Sequence, residues 1–135
     1  MSRWLSIMLL QEPFDMGLDP LGRGRCGFNF IVEKTPSDTF MAETFSILVA
    51  ANVGVVGTNI FGSTAVAIPE GDGPYLLMIE TGGPGGVRIH NQIPPAYQRP
   101  GAQIVARAKK YANARTMAVA AYNALSTVCN RPVTV

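Results

Sequence analysis

Charge is what this chain has least of. Charged residues make up 15% of its 135 positions, against about a quarter in an ordinary globular protein. The net charge is only +2, from 11 basic and 9 acidic residues, so the strongly basic footprint of a nucleic-acid binder is missing and nothing calls for nucleic acid as a ligand. The single histidine, His90, rules out a two-histidine metal site within one protomer. The two cysteines, Cys26 and Cys129, lie far apart, which gives neither a metal-binding spacing nor a disulfide framework. Both read as reduced, half-buried small apolar residues. Long hydrophobic runs are absent too. The stretch Leu5 to Leu10 is broken by Ser6 and stops at Gln11-Glu12-Pro13, too short for the apolar region of a signal peptide or for a bilayer span. The expectation is a soluble protein of a reducing cytoplasm, with no membrane and no cofactor.

What is present is apolar. A hydrophobic content of 47% suffices for a real core, and the length fits one compact domain over residues 1–135. A surface so poor in charge is expected to be covered in part by something else, and oligomerisation is the plainest cover.

Residues 3–10 read as a buried strand. Gln11 to Gly24, with Pro13, Gly17, Pro20 and Gly22, reads as a loop. Arg25 to Lys34 sets Cys26, Phe28 and Phe30 on one face and Asn29 on the other, a period of two that predicts a strand. The spacing of Phe40, Met41, Thr44, Phe45, Leu48 and Val49 predicts a helix over about Asp38–Ala51, with Gly54 as its stop. Thr58–Phe61, Ala65–Ile68 and Val87–Asn91 carry short strand signals. Tyr75 to Glu80 is a continuous apolar run and predicts a central strand buried on both faces. Ala102 to Ala108 reads as a strand leading into a helix over about Tyr111–Val128, whose apolar face is Ala114, Met117, Ala118, Ala121, Tyr122, Leu125 and Val128. Arg131–Val135 looks like the start of another strand. Together these predict an α+β fold, a mainly antiparallel sheet with two helices packed on one face. The other face is left to solvent or to neighbouring copies.

Chemistry-bearing motifs are weak. The cluster Gly82-Gly83-Pro84-Gly85-Gly86 is interrupted by proline and followed by no Lys-Ser/Thr pair, unlike a phosphate-binding loop. A flexible or interface loop is the better reading. Acid–base chemistry would have to come from His90, Glu80 and the carboxylates of Asp15, Asp19, Glu70 and Asp72, with Ser63 or Thr81 as a nucleophile beside His90, and no nucleophile-elbow context accompanies them. A small hydrolase is therefore the lesser alternative. Arg99, Arg107, Lys109, Lys110 and Arg115 gather around the start of the second helix, where positive charge opposes the macrodipole. Three roles stay open: contact with DNA passing a channel, pairing with a neighbour's acidic groups, or a solvated basic edge.

The order Ile79-Glu80-Thr81-Gly82-Gly83, Tyr97-Gln98-Arg99-Pro100, Gln103 to Ala108 and Tyr111-Ala112-Asn113-Ala114 resembles the tail terminator family of long-tailed bacteriophages, also labelled minor capsid or tail completion proteins. The resemblance covers residues 41–135, with Asn59-Ile60-Phe61-Gly62 near its opening. Leu5-Ser6-Ile7, Gln11-Glu12-Pro13-Phe14-Asp15, Gly17, Asp19, Gly22-Arg23 and Phe28-Asn29-Phe30 resemble the closing segment of the same family, yet residues 1–34 come first here. The chain thus reads as circularly permuted, and residues 133–135 and 2–5 are expected to lie close together as one continuous strand.

The resemblance implies a structural role in the virion, with assembly in the host cytoplasm and no catalysis. The family's form is a ring, usually hexameric, that caps the tail tube protein and meets a head-completion (stopper or adaptor) protein in the neck. Genomic DNA passes through without sequence-specific binding. Another neck or tail-completion protein is the nearest alternative. On position, Thr81, Gly82, Gly83, Pro84, Pro95, Tyr97 and Arg99 are expected at inter-subunit or tube contacts. Gln11, Phe14 and Asp15 are expected on an arm reaching a neighbour, since a structureless loop of about 14 residues in a small domain is usually functional. Arg99, Arg107 and Lys109 are candidates for the channel lining or for charge pairing between subunits.

Overall fold

The computed structural model describes residues 4–34, 40–55, 58–62, 73–82, 99–128 and 131–132. Nine elements follow in chain order: β1 (Trp4–Leu9), β2 (Phe14–Leu18), β3 (Gly24–Lys34), α1 (Phe40–Ala50), β4 (Ile60–Gly62), β5 (Tyr75–Glu80), β6 (Gly101–Ala108), α2 (Tyr111–Ser126) and β7 (Arg131–Pro132). The strands form one sheet in the order β4-β5-β6-β3-β1-β7, with β2 also paired to β3. All pairings are antiparallel except β4 with β5. The fold is α+β, with the helices packed against the sheet. Ala65–Ile68 and Val87–Asn91 lie outside the described residues. Among the described residues no helix is long and apolar enough to cross a membrane.

The period of two in β3 does what alternation predicts. Cys26, Phe28, Phe30 and Val32 are buried, as are Ala102, Ile104, Ala106 and Ala108 of β6 and Leu76 and Met78 of β5. Over these residues lies α2, with Ala114, Met117, Ala118, Ala121 and Leu125 buried. Alanines along that face let the helix sit close to the sheet, and Phe28 fills the gap edge-on to Tyr122 at 5.4 Å. The first helix adds Phe40, stacked on Phe30 at 6.5 Å. Burial of each such large apolar side chain contributes roughly 1.5–3 kcal/mol.

Two details differ from the sequence expectation. The first helix stops at Asn52 and not at Gly54: Asn52 takes a left-handed φ of 60°. Its amide donates to the Val49 carbonyl and the Val53 amide to the Leu48 carbonyl, the paired bonds of a Schellman end. The run Tyr75–Ile79 is buried on one face only, with Tyr75, Leu77 and Ile79 half-buried on the other.

The chain ends also differ. Trp4 pairs with Pro132 and Leu5 with Arg131 in an antiparallel ladder. The described ends are neighbours, one strand spacing apart, but they run side by side. A link between them would make a hairpin in place of the single continuous strand expected; residues 133–135 and 1–3 lie outside the described residues.

β3 ends on a buried charge. The ammonium of Lys34 lies 3.6 Å from Glu43 Oε1 in the first turn of α1, with the side chains only 1% and 2% exposed. Glu43 sits where the helix dipole favours a carboxylate. Breaking such a pair strands a buried charge, whereas replacing both members by apolar groups is close to neutral. Lys34→Met or Glu43→Leu alone should cost about 3–5 kcal/mol in urea unfolding, and the double substitution markedly less than the sum of the two. Additive losses in the double variant would show that the pair is not coupled.

Candidate functional site

The segment Gln11–Gly24 is not a structureless loop. It holds β2, which pairs with β3 from Phe14↔Gly27 to Leu18↔Gly24 with a register shift at Asp15/Gly17. Together β1 and β2 line one edge of β3, with a break between them at residues 10–13. Gln11 manages that break. The Leu10 amide still donates to the Asn29 carbonyl at 3.0 Å, and the Gln11 side-chain oxygen accepts from the Asn29 amide at 3.2 Å, where a ladder carbonyl would otherwise serve. Arg115 of α2 reaches the Pro13 carbonyl at 3.4 Å.

The tip of this hairpin is built on Asp19. One carboxylate oxygen accepts from the amides of Leu21 (3.0 Å) and Arg23 (2.8 Å), and the other from Arg23 Nε at 2.7 Å. Gly22 supplies the φ of 81° that the turn requires. Arg25 secures the bulged strand. Its Nη2 donates to the carbonyls of Met16 and Leu18 at 3.2 Å, and its Nε to that of Gly17 at 3.4 Å. Behind the hairpin, Gly27 lets Met16 and the Ile104 carbonyl approach where any Cβ would collide.

Large apolar side chains are left outside on this one segment. Met8, Leu10, Phe14, Leu18 and Leu21 are exposed, Leu18 by 66% and Leu21 by 72%; elsewhere among the described residues only Val49 and Val55 match them. Of these the sequence singled out Phe14 and not Met8, Leu10, Leu18 or Leu21, although the leucine pair Leu18 and Leu21 flanking Asp19-Pro20 was a readable signal. Asp15 is exposed and caps the Gly17 amide at 2.7 Å.

The helix-free face of the sheet carries a groove of about 370 Å³ beside the hairpin, walled by Met16, Leu77, Ile79 and Val105 with Arg25 and Arg107 at one end. These residues follow from register: Arg107 stands between Arg25 and Tyr75, and Val105 between Gly27 and Leu77. Arg107 Nε lies 4.0 Å from Asp19 Oδ2, and its guanidinium lies 5.6 Å from the centre of the Tyr75 ring. Its charge is engaged at the tip of the hairpin.

The structure does not gather the three proposed charge residues. Arg99 precedes β6 and Lys109 follows it, so the strand holds them about 30 Å apart at ~3.3 Å per residue. Arg99 is half-buried and Lys109 exposed. Thr81 and Gly82 are exposed at the end of β5. The Thr81 amide donates to the Gly101 carbonyl at 2.9 Å, and Gly82 has a φ of 70°. Glu80 is exposed opposite Ala102. Gly83, Pro84, Pro95, Tyr97, His90, Ser63 and Cys129 lie outside the described residues. Cys26 is wholly buried and free, not half-buried as expected. Among the described residues, no group of three His, Cys, Asp or Glu side chains could hold a metal ion. Comparison with protein-family profiles, curated proteins and solved structures returns no match.

Asp19 gives the site a pH dependence. Burial raises its carboxyl pKa, but hydrogen bonds from Arg23 and the Leu21 amide, with the Arg23 charge, outweigh it and hold it below the ordinary value. A depressed carboxyl stabilises the fold above its unfolded pKa of about 4 and loses that contribution as pH falls through the native value. Asp19→Asn should lower the urea midpoint at neutral pH and flatten the fall in stability between pH ~5 and ~2. An unchanged acid limb in the variant would remove Asp19 from the account.

Proposed function

We propose that this chain is a structural assembly protein of the tail terminator kind, one that self-associates into a ring, caps the tail tube of a long-tailed phage and presents a surface to the head-completion protein. One observation carries the reading: five of the seven large apolar side chains exposed among the described residues lie between Met8 and Leu21, two at the end of β1 and three on the β2 hairpin that Asp19, Gln11 and Arg25 brace. A concentration of exposed apolar side chains on a braced segment is what an interface needs and what an isolated monomer avoids. The order of motifs over residues 41–135 supplies the particular family. In this reading the charge-poor surface is covered by neighbouring subunits, the location is the virion neck, and genomic DNA passes the ring without sequence-specific contacts.

The test is the solution mass of the purified chain by light scattering, alone and with tail tube protein, with tube length followed by electron microscopy. The expected result is a closed oligomer, or a chain that assembles on tube ends and fixes their length. Leu18→Lys should weaken self-association by about tenfold or more, the loss typical of an interface anchor, with unfolding unchanged. Assembly without any effect on tubes would indicate a different neck or tail-completion component. A monomer that leaves tube length unchanged would contradict the reading.

A further inference from the structure

The groove on the helix-free face is polarised, and the strand register shows how. Its floor is Val105 beside Leu77, then Gln103 beside Ile79, all half-buried. At one end Arg107 and Arg25 stand directly opposite each other on β6 and β3; Gln103 marks the other end, four residues along β6, or about 13 Å at ~3.3 Å per residue. The lining holds three guanidiniums, those of Arg23, Arg25 and Arg107, and one carboxylate, that of Asp19. Asp19 belongs to the hairpin turn: it accepts from Arg23 Nε at 2.7 Å and from two amides, and stands 4.0 Å from Arg107. Arg25 donates to the main-chain carbonyls of Met16, Gly17 and Leu18. Among the described residues no carboxylate lies within ion-pair distance of it. Like charges directly opposite each other across a strand pair repel, so this end of the groove favours a further negative charge while its floor favours hydrocarbon.

We propose that this groove is a binding site for a small apolar carboxylate, its head at the Arg25–Arg107 end and its hydrocarbon body along Val105, Leu77 and Ile79. A volume of about 370 Å³ is at the small end for ligand sites, which are apolar clefts with a few polar groups that set orientation. Guanidiniums are suited to a carboxylate because their planar N–H groups donate to it in pairs. The incoming charge also relieves the repulsion between Arg25 and Arg107. The distance from Arg107 to Gln103 suits an extended medium-chain acid, and the same charges disfavour an ammonium of equal length. This site does not rest on the assembly reading, since it uses none of the leucines that project from the hairpin.

The experiment titrates octanoate into the full chain, with octylamine and butyrate as comparisons, and locates the contact from backbone amide shifts in TROSY spectra. Octanoate should shift the amides of residues 25, 77–79 and 103–107 and saturate them. Octylamine should leave those amides unmoved. Butyrate keeps the head and loses most of the body, so it should bind about tenfold more weakly or worse. Arg25→Gln should lower octanoate affinity by about tenfold or more. The comparison of the three probes uses the unaltered chain and decides the matter even if Arg25→Gln fails to fold. Equal shifts from octanoate and octylamine, or octanoate shifts confined to Leu18 and Leu21, would show unspecific apolar contact and overturn the proposal. An absence of shifts with octanoate would overturn it too. Groove amides that move with chain concentration and do not respond to octanoate would place a second copy there, and the proposal would fall.

Discussion

The register of β3 is the constraint on which the other elements depend. This eleven-residue strand is paired along both edges, with β6 on one side and β1 and β2 in succession on the other. Its even-numbered residues lie under the helices and its odd-numbered residues on the opposite face. A slip of one residue would drive Arg25, Asn29 and Glu33 into the core and put Phe28 and Phe30 in water. The same alternation delivers Lys34 to a buried position at the end of the strand, which is why α1 must bring Glu43 to it. The ion pair thus follows from the register and also fixes where α1 starts relative to the sheet.

The open face follows from the same constraint. Arg25 is the first odd residue of β3, and its neighbours in register are Arg107 and, one strand further, Tyr75. Two guanidiniums directly opposite each other would repel. Asp19 lies beside Arg107 and Arg23, while Arg25 turns to the carbonyls of the bulge in β2. The hairpin is therefore braced by charges on the open face, and bracing leaves its leucines and Phe14 projecting. In the proposed assembly those projections are the contact, so the features that stabilise the hairpin also prepare it for a neighbour with little ordering cost on binding.

Much of the fold was legible because its strands obey simple alternation. The strand from Arg25 to Lys34, the run Tyr75–Glu80, the strand ending at Ala108 and the apolar face of α2 each carry their periodicity in contiguous residues. The hairpin was not legible. Pro13, Gly17, Pro20 and Gly22 read as loop punctuation, yet Gly17 sits in a bulge and Gly22 in a tight turn, both held by side chains of Arg25 and Asp19 that act across space. The spacing of Arg99, Arg107 and Lys109 was hidden for a related reason: closeness along the chain is distance along a strand. The groove was half visible, since an apolar run such as Tyr75–Ile79 requires cover on two faces and the chain's own helices cover only one.

Amide hydrogen exchange at low and high protein concentration tests the central claim most directly, because the hairpin has one edge of β2 paired to β3 and its apolar side chains in water. Self-association through the hairpin predicts that protection of residues 14–21 rises steeply with concentration, while the paired centre of β3 stays protected throughout. Protection of the hairpin that does not change with concentration, or protection that rises only over α1 and α2, would contradict it.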